Sequence, residues 1–266
     1  MRKVLVLCVL VGMVGCGPQK KVETDVQQET QQEYDYKRAL QNYQIGVNYL
    51  NNNQVLEAVS ALEQAVQQDR GNFRYQHALG LAYSMNGELA KAEHSLKQAL
   101  AINPNDSESY NLLGSIYVDQ ERFEDAVAAF RKVIRDKNYS QPKFPYYNMG
   151  LALRRQGRLS EAVAAFQRAV AIDPDFYRVY ISLAEIYQEN NDYKHALHFY
   201  KKAEPGFNDS VDLLYQIGHA FFKLKQFNQA KAYLAQVSIL FPPPQIDQST
   251  QEMLRYIELK QRRAMN

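Results

Sequence analysis

The sequence predicts an all-α protein in which six copies of a two-helix unit follow one another along the chain. Small residues recur at intervals of 34, 34, 36, 34 and 34 residues, at Gly46, Gly80, Gly114, Gly150, Ala184 and Gly218. A second series, with the same five intervals, consists of Ala58, Ala92, Ala126, Ala162, Ala196 and Ala230. Apolar residues between these positions have helical spacing. Because self-similarity at a fixed period is typical of repeat architectures, we expect a solenoid.

Composition excludes several classes of protein. The 266 residues are 46% hydrophobic and 23% charged, which predicts a folded chain. Lysine and arginine number 31 against 29 acidic residues, so there is no basic footprint for nucleic acid. The mean hydropathy of -0.48 excludes a protein with many membrane spans. The two cysteines, Cys8 and Cys16, cannot form a disulfide framework or a cysteine zinc site in the rest of the chain.

Residues 1–15 have the features of a secretory signal peptide. Arg2 and Lys3 are followed by an apolar run from Val4 to Val14, which is too short for a permanent membrane span. The run ends in Met13-Val14-Gly15-Cys16, which resembles a bacterial lipobox. That resemblance implies cleavage before Cys16 and lipidation of its thiol. The alternative is an ordinary signal peptide with a cysteine there by chance.

The residues after the predicted cleavage site bear on the membrane to which the protein is expected to be attached. Gly17 follows Cys16 where aspartate would favour retention in the inner membrane. For a host with two membranes, resemblance to other lipoproteins therefore implies the periplasmic face of the outer membrane. Residues 16–35 are polar and rich in Gln and Glu, and we expect a lipidated polar tether, either with the span of a flexible coil throughout or helical near its end. Cleavage removes two basic residues and leaves a side-chain charge near zero.

The repeats occupy residues 36–244. Four residues after each alanine stands a bulky apolar residue, in the series Leu62, Leu96, Phe130, Phe166, Tyr200 and Leu234. Proline closes alternate units at Pro104, Pro174 and Pro242. This pattern resembles the tetratricopeptide repeat family, which implies a right-handed superhelical solenoid of six repeats. Residues 245–266 have one apolar face and predict a C-terminal capping helix over the sixth repeat.

The connection between the third and fourth units is two residues longer than the others. It falls within residues 135–144, and we expect a local wedge in the array there.

No catalytic constellation is found, and we expect a protein that is not an enzyme and has no cofactor or metal. There is no phosphate loop, dinucleotide loop or nucleophile elbow. His195 and His198 lie three residues apart on one predicted helix and could offer two metal ligands. No third ligand accompanies them at a suitable spacing, so we interpret them as surface histidines.

Family resemblance assigns positions 2, 5, 9, 12 and 13 of each repeat to the concave face of the superhelix. The residues expected to form a partner-binding groove are Leu40, Tyr43, Val47, Leu50, His77, Leu81, Met85, Asn111 and Tyr147. The first seven predict an apolar wall, and exposed apolar clusters usually mark binding sites. A polar and charged stretch follows, with Glu108, Asn111, Asp119, Arg154, Arg155, Glu185 and Glu189. The alternative for the first repeat is that residues 28–38 fold over the wall as a cap.

The layout is similar to that of the type IV pilus pilotin family of lipoproteins. That resemblance rests on the lipobox, the six repeats, and the longer connection with Tyr139 and Asn148-Met149-Gly150. It implies a non-enzymatic protein that helps the outer-membrane secretin to localise and multimerise, with a secretin segment in the groove. The alternative is a general envelope adaptor that organises peptidoglycan enzymes or proteases.

Overall fold

The computed structural model describes the backbone of residues 19–265 and the side chains of residues 31–263. These residues form thirteen α-helices, one short 3-10 turn and no strand, which confirms the all-α tandem arrangement. The predicted signal peptide and Cys16 lie outside the described residues. Contacts divide the chain after Pro104 into two compact units.

The first unit contains two helix pairs. Its helices are α1 (Gln19–Asn51), α2 (Val55–Gln68), α3 (Phe73–Met85) and α4 (Leu89–Ile102). Helix α1 packs against α2, α2 against α3, and α3 against α4, while α1 also touches α3. This is the order expected when the first helices of successive repeats are neighbours.

The second unit contains four further pairs and a final helix. Its helices are α5 (Ser107–Asp119), α6 (Phe123–Arg135), α7 (Lys143–Arg155), α8 (Leu159–Ile172), α9 (Tyr177–Glu189), α10 (Tyr193–Ala203), α11 (Val211–Lys223), α12 (Phe227–Ile239) and α13 (Pro244–Met265). Consecutive helices pack against each other, and α13 contacts both α12 and α11. Met253 and Ile257 of α13 are buried in one cluster with Ala230 and Leu234 of α12.

The small and bulky series are the two sides of one repeated contact. A Cβ added to Gly114 would lie 2.7 Å from the ring of Phe130, and one added to Gly150 would lie 2.6 Å from the ring of Phe166. The bulky residue of the second helix therefore lies directly on the small residue of the first. The six alanines of the second series are all fully buried, so the two helices of each pair approach closely.

The turn inside each helix pair repeats as regularly as the core. One residue per pair has a positive φ, and these residues are Asn53, Gly87, Glu121, Gly157, Asn191 and Lys225. Asn and Gly adopt this left-handed conformation at little cost, whereas other residues are strained there. Glu121 and Lys225 are therefore the two exceptions to the expected turn chemistry.

Helix α1 corrects the expectation of a flexible coil after the lipobox. It runs without interruption from Gln19 to Asn51 and is about 50 Å long at 1.5 Å per residue. Residues 19–35 therefore continue the first helix of repeat 1. The polar composition lacks an apolar stripe, but it contains Gln, Glu and Lys, which are good helix formers. Attachment of this segment to a lipid stays a prediction.

The longer connection between α6 and α7 is tied back to α5. Ser107 Oγ donates a hydrogen bond to Asp136 at 2.6 Å, and Tyr139 OH contacts Glu108 at 3.4 Å. Burial, followed by the nearby charge of Glu108, raises the pKa of Tyr139 to about 12. The extra residues are thus fixed by side-chain contacts, while the local wedge stays a prediction.

None of the helices in the described part of the chain is both long enough and apolar enough to cross a membrane.

Candidate peptide-binding surface

The seven predicted groove residues of the first two repeats lie on α1 and α3, the two first helices of the N-terminal unit. We call this set the apolar surface: Leu40, Tyr43, Val47, Leu50, His77, Leu81 and Met85. Six of them are half-buried and Met85 is 45% exposed. Because α1 and α3 touch, the structure brings the residues on α1 and the residues on α3 together within one unit.

Helix packing anchors one end of the apolar surface. The ring of Tyr43 lies 4.9 Å from that of Tyr75, and both pack with the buried Ala39 and Ala65. Asn42 Nδ2 donates a hydrogen bond to Gln68 Oε1 at 3.1 Å beside them. Tyr43 therefore has a packing role in addition to any contact with a partner.

The alternative of a cap formed by residues 28–38 is wrong. These residues continue α1, the same helix that carries Leu40, Val47 and Leu50, so they do not fold back over those side chains. Tyr34 and Tyr36, two aromatic residues of this segment, are each 54% exposed.

A cavity of about 400 Å³ in the same unit lies away from most of the apolar surface. It is bordered by Tyr83, His94 and other residues of α2, α3 and α4. Tyr83 OH donates a hydrogen bond to Glu63 Oε1 at 2.5 Å, and burial together with this bond raises the pKa of Tyr83. The apolar surface is thus a face for contact rather than the wall of this cavity.

Asn111 and Tyr147, the remaining groove residues, belong to the second unit. Asn111 is on α5, and its Oδ1 is buried without a hydrogen-bond partner in the described residues. Tyr147 is on α7, with its ring 5.8 Å from Phe166 and 5.2 Å from Phe176. Tyr147 is therefore largely a packing residue, whereas Asn111 has a buried acceptor without a described partner.

A small cavity of about 170 Å³ opens between α5 and α7, with Phe130 of α6 among its walls. The residues that line it are Ser115, Val118, Asp119, Phe130, Asn148 and Leu151. The groove prediction missed Ser115 and Leu151. Both occupy the ninth position of their repeats, as Val47 and Leu81 do in the first two. The same positional rule would therefore have identified them.

Much of the predicted charged stretch is neutralised within the protein. Arg154 on α7 forms ion pairs with Glu185, at 2.5 Å, and with Glu189, both on α9. One step further along the unit, Gln188 donates a hydrogen bond to Gln216 at 2.9 Å. These contacts link the first helices of repeats 4, 5 and 6. This charged stretch therefore holds neighbouring repeats together.

The two histidines considered as metal ligands have other surroundings. His195 Nδ1 lies 2.6 Å from Asp192, the residue that caps the same helix, and His198 is exposed. No group of three or more potential His, Cys, Asp or Glu ligands occurs among the residues that the structure describes.

His219 on α11 is a largely buried histidine in the second unit. Its Nδ1 is buried without a described partner, its ring stacks on Tyr215 at 6.0 Å, and Lys223 is close by. Burial, and then the charge of Lys223, lowers the pKa of His219 below 6.5.

We therefore expect the free energy of unfolding to fall as the pH decreases below about 6.5, because the unfolded chain binds a proton that the folded state resists. Urea unfolding at about pH 7 and about pH 5 measures this fall. The fall in unfolding free energy should be smaller in His219→Gln than in the unaltered protein. His198→Gln, an exposed control, should show the same fall as the unaltered protein. An equal fall in all three proteins would contradict the assignment.

Comparison with known proteins finds a relative of nearly the same length. Type IV pilus assembly protein PilF of Pseudomonas aeruginosa is 23% identical over 247 residues, which cover 91% of this chain and 94% of PilF. Anaphase-promoting complex subunit 3 of Schizosaccharomyces pombe is 30% identical over 127 residues, but the chain spans only 18% of its length. The crystal structure of PilW, described as a widely conserved type IV pilus biogenesis factor, has a TM-score of 0.70 and 24% identity, with 80% of this chain and 98% of PilW covered.

Family models match the helix pairs described above. A model described as tetratricopeptide repeat matches residues 43–107 and 77–141, a second with that description matches residues 211–238, and one described as TPR repeat matches residues 150–191. Together these matches cover more than half of the chain. The chain therefore belongs to the tetratricopeptide repeat family and resembles the type IV pilus assembly proteins PilF and PilW.

Proposed function

We propose that this protein is a lipid-anchored interaction scaffold of the outer membrane that acts as a pilotin for a type IV pilus secretin. It holds a segment of the secretin subunit on the apolar surface of α1 and α3. Cys16 carries the lipid and keeps the protein at the periplasmic face. The protein thereby helps the secretin to reach the membrane and to form its multimer.

The observation that carries this proposal is the similarity to PilF over 91% of the chain. A match confined to a few repeats would indicate only the repeat type, because unrelated complexes use the same repeats. Here the alignment also covers 94% of PilF, so the similarity extends well beyond a few repeats. Repeat solenoids present extended surfaces for protein partners, which fits a scaffold role.

The apolar surface supports the kind of partner proposed. Its side chains lie on successive first helices at helical spacing, so a partner helix or extended peptide can contact several of them at once. Most of its members are aliphatic or aromatic, and apolar burial is the main source of affinity in such complexes. The paired charges of Arg154, Glu185 and Glu189 offer less to a partner, because they already satisfy one another.

Deletion of the gene from its host tests the proposal. Outer-membrane fractions are run on gels that preserve heat-resistant multimers and are probed for the secretin. We expect the multimer to be lost or to appear in the inner membrane, and the gene supplied in trans should restore it. The Cys16→Ala variant should fail to restore it while accumulating to the same level, because it lacks the attachment site.

A normal secretin multimer in the deletion strain would contradict the pilotin role. Capture of peptidoglycan enzymes or proteases by the full chain in that case would support the general envelope adaptor instead. Full restoration of the multimer by Cys16→Ala would contradict the lipid anchor but not the pilotin role.

A further inference from the structure

A cavity of about 470 Å³ lies at the C-terminal end of the second unit, where α11, α12 and α13 meet. Its walls are Phe222, Lys223, Lys225, Phe227, Tyr256 and Lys260, which we call the lysine-aromatic cavity. None of these residues belongs to the apolar surface, which lies in the other unit. The cavity is therefore a separate feature of the molecule.

Three aromatic rings form the apolar part of the cavity. Phe222 lies 6.0 Å from Phe227 and 5.4 Å from Tyr256, both in edge-to-face geometry, and Phe227 lies 6.1 Å from Tyr256. Phe222 and Phe227 pack inward on the core of α12 and α13. Tyr256 remains 44% exposed. The inner rings are thus held in place, and an aromatic face is left for a ligand.

Three lysines surround these rings. Lys223, Lys225 and Lys260 come from the end of α11, the turn before α12, and α13. In the part of the chain that the structure describes, no carboxylate forms an ion pair with any of them. Lys223 lies over the ring of Tyr193 at 5.9 Å and Lys260 over that of Tyr256 at 5.7 Å.

The basic character continues beyond the cavity. Arg262 and Arg263 are exposed in the last turns of α13, close in sequence to Lys260. Unpaired like charges repel one another, so an anionic ligand that neutralises them is favoured electrostatically.

Lys225 is held in a conformation that a lysine does not prefer. Its φ is +58°, and the equivalent positions of four other repeats are occupied by Asn53, Gly87, Gly157 and Asn191. Glycine would relieve this strain and remove the charge at once. Lys225→Gly therefore removes a charge from the cavity without an expected loss of stability.

We propose that the lysine-aromatic cavity binds an acidic peptide segment of a partner protein, with an aromatic or large apolar side chain of that segment on the three rings. The lysines bind its carboxylates, and the rings take the apolar side chain. The residues of the cavity indicate both parts of the ligand. Unpaired ammonium groups favour carboxylates, and a half-open cluster of rings favours an aromatic group. This site goes beyond the proposed secretin contact and does not depend on it.

Fluorescence anisotropy with a labelled synthetic peptide tests the proposal. The probe is a short run of Asp and Glu around one central Phe, and the full chain is the titrant. We expect saturable binding that weakens as salt increases. It should also weaken when Ala replaces the Phe of the probe, and it should be absent when Asn and Gln replace the acids.

The double variant Lys225→Gly/Lys260→Gln should weaken binding about tenfold or more, since two charge-assisted contacts are lost. Lys132→Gln removes one exposed charge of α6, a helix that does not border the cavity, and should have no effect. The melting temperature of the double variant should equal or exceed that of the unaltered protein.

Equal binding of the acidic and the neutral probe, or unchanged binding by the double variant, would overturn the proposal. So would selective binding to phosphatidylglycerol vesicles over phosphatidylcholine vesicles without binding of the peptide, which would assign the cavity to anionic lipid headgroups. Because the readout uses no secretin, its failure is distinct from failure of the pilotin role.

Discussion

Replacing Phe166 with alanine is expected to lower the free energy of unfolding by about 3–5 kcal/mol. Phe166 is fully buried, and its ring occupies the space above Gly150 and beside Tyr147. Removal of the ring leaves a cavity, because the surrounding structure relaxes only partly around a deleted side chain. Urea unfolding followed by circular dichroism measures the loss.

Phe166→Leu is the matched control for this prediction. Leu62, Leu96 and Leu234 fill the same position over a glycine in repeats 1, 2 and 6, so the site accepts leucine. We expect a cost of about 1 kcal/mol, as for other apolar substitutions of similar volume. Similar costs for alanine and leucine would show that the ring does not fill this space as described.

The double variant Leu50→Glu/Leu81→Glu is expected to weaken binding of the proposed secretin partner about a hundredfold or more. Burial of each leucine against a partner contributes about 1.5–3 kcal/mol, and a carboxylate in an apolar contact adds a desolvation cost. Both residues are half-buried in the free protein, on α1 and α3, so each keeps apolar area for a partner. Titration calorimetry with the periplasmic part of the secretin measures the change.

Two controls keep this binding prediction interpretable. Leu56 on α2 is 70% exposed and outside the apolar surface, so Leu56→Glu should bind normally. Leu50→Ala/Leu81→Ala introduces no charge and should weaken binding less than the glutamates do, with the helical signal preserved. Unchanged binding by the folded glutamate variant would place the contact elsewhere on the protein.

The periodic part of the fold was predictable because its contacts are local. The small residue of each first helix meets the bulky residue sixteen positions later, as Gly114 meets Phe130. A contact of such short range is repeated with every unit and therefore appears in the sequence as a period. The predicted groove positions combine this register with the family resemblance, and a partner contact at Leu50 and Leu81 stays a prediction.

Contacts between side chains of different repeats were not predictable in this way. The pairing of Arg154 with Glu185 and Glu189 depends on how two neighbouring first helices align, and long charged side chains give no period. The helical state of residues 19–35 was foreseen only for the end of that segment, whereas the helix begins at Gln19. These residues have helix-forming composition without an apolar stripe, and it is continuity with a packed helix that extends α1.

The sequence by itself determined the six-fold repetition, the all-α class and the small and bulky partners of each helix pair. Only the tertiary structure decided which charges are paired, that α1 leaves the apolar surface uncovered, and that rings and lysines meet at the end of α13. The physical reason is the range of the interactions. Close packing within a repeat restricts residue size at fixed spacing, whereas surface chemistry depends on which helices the stacking makes neighbours.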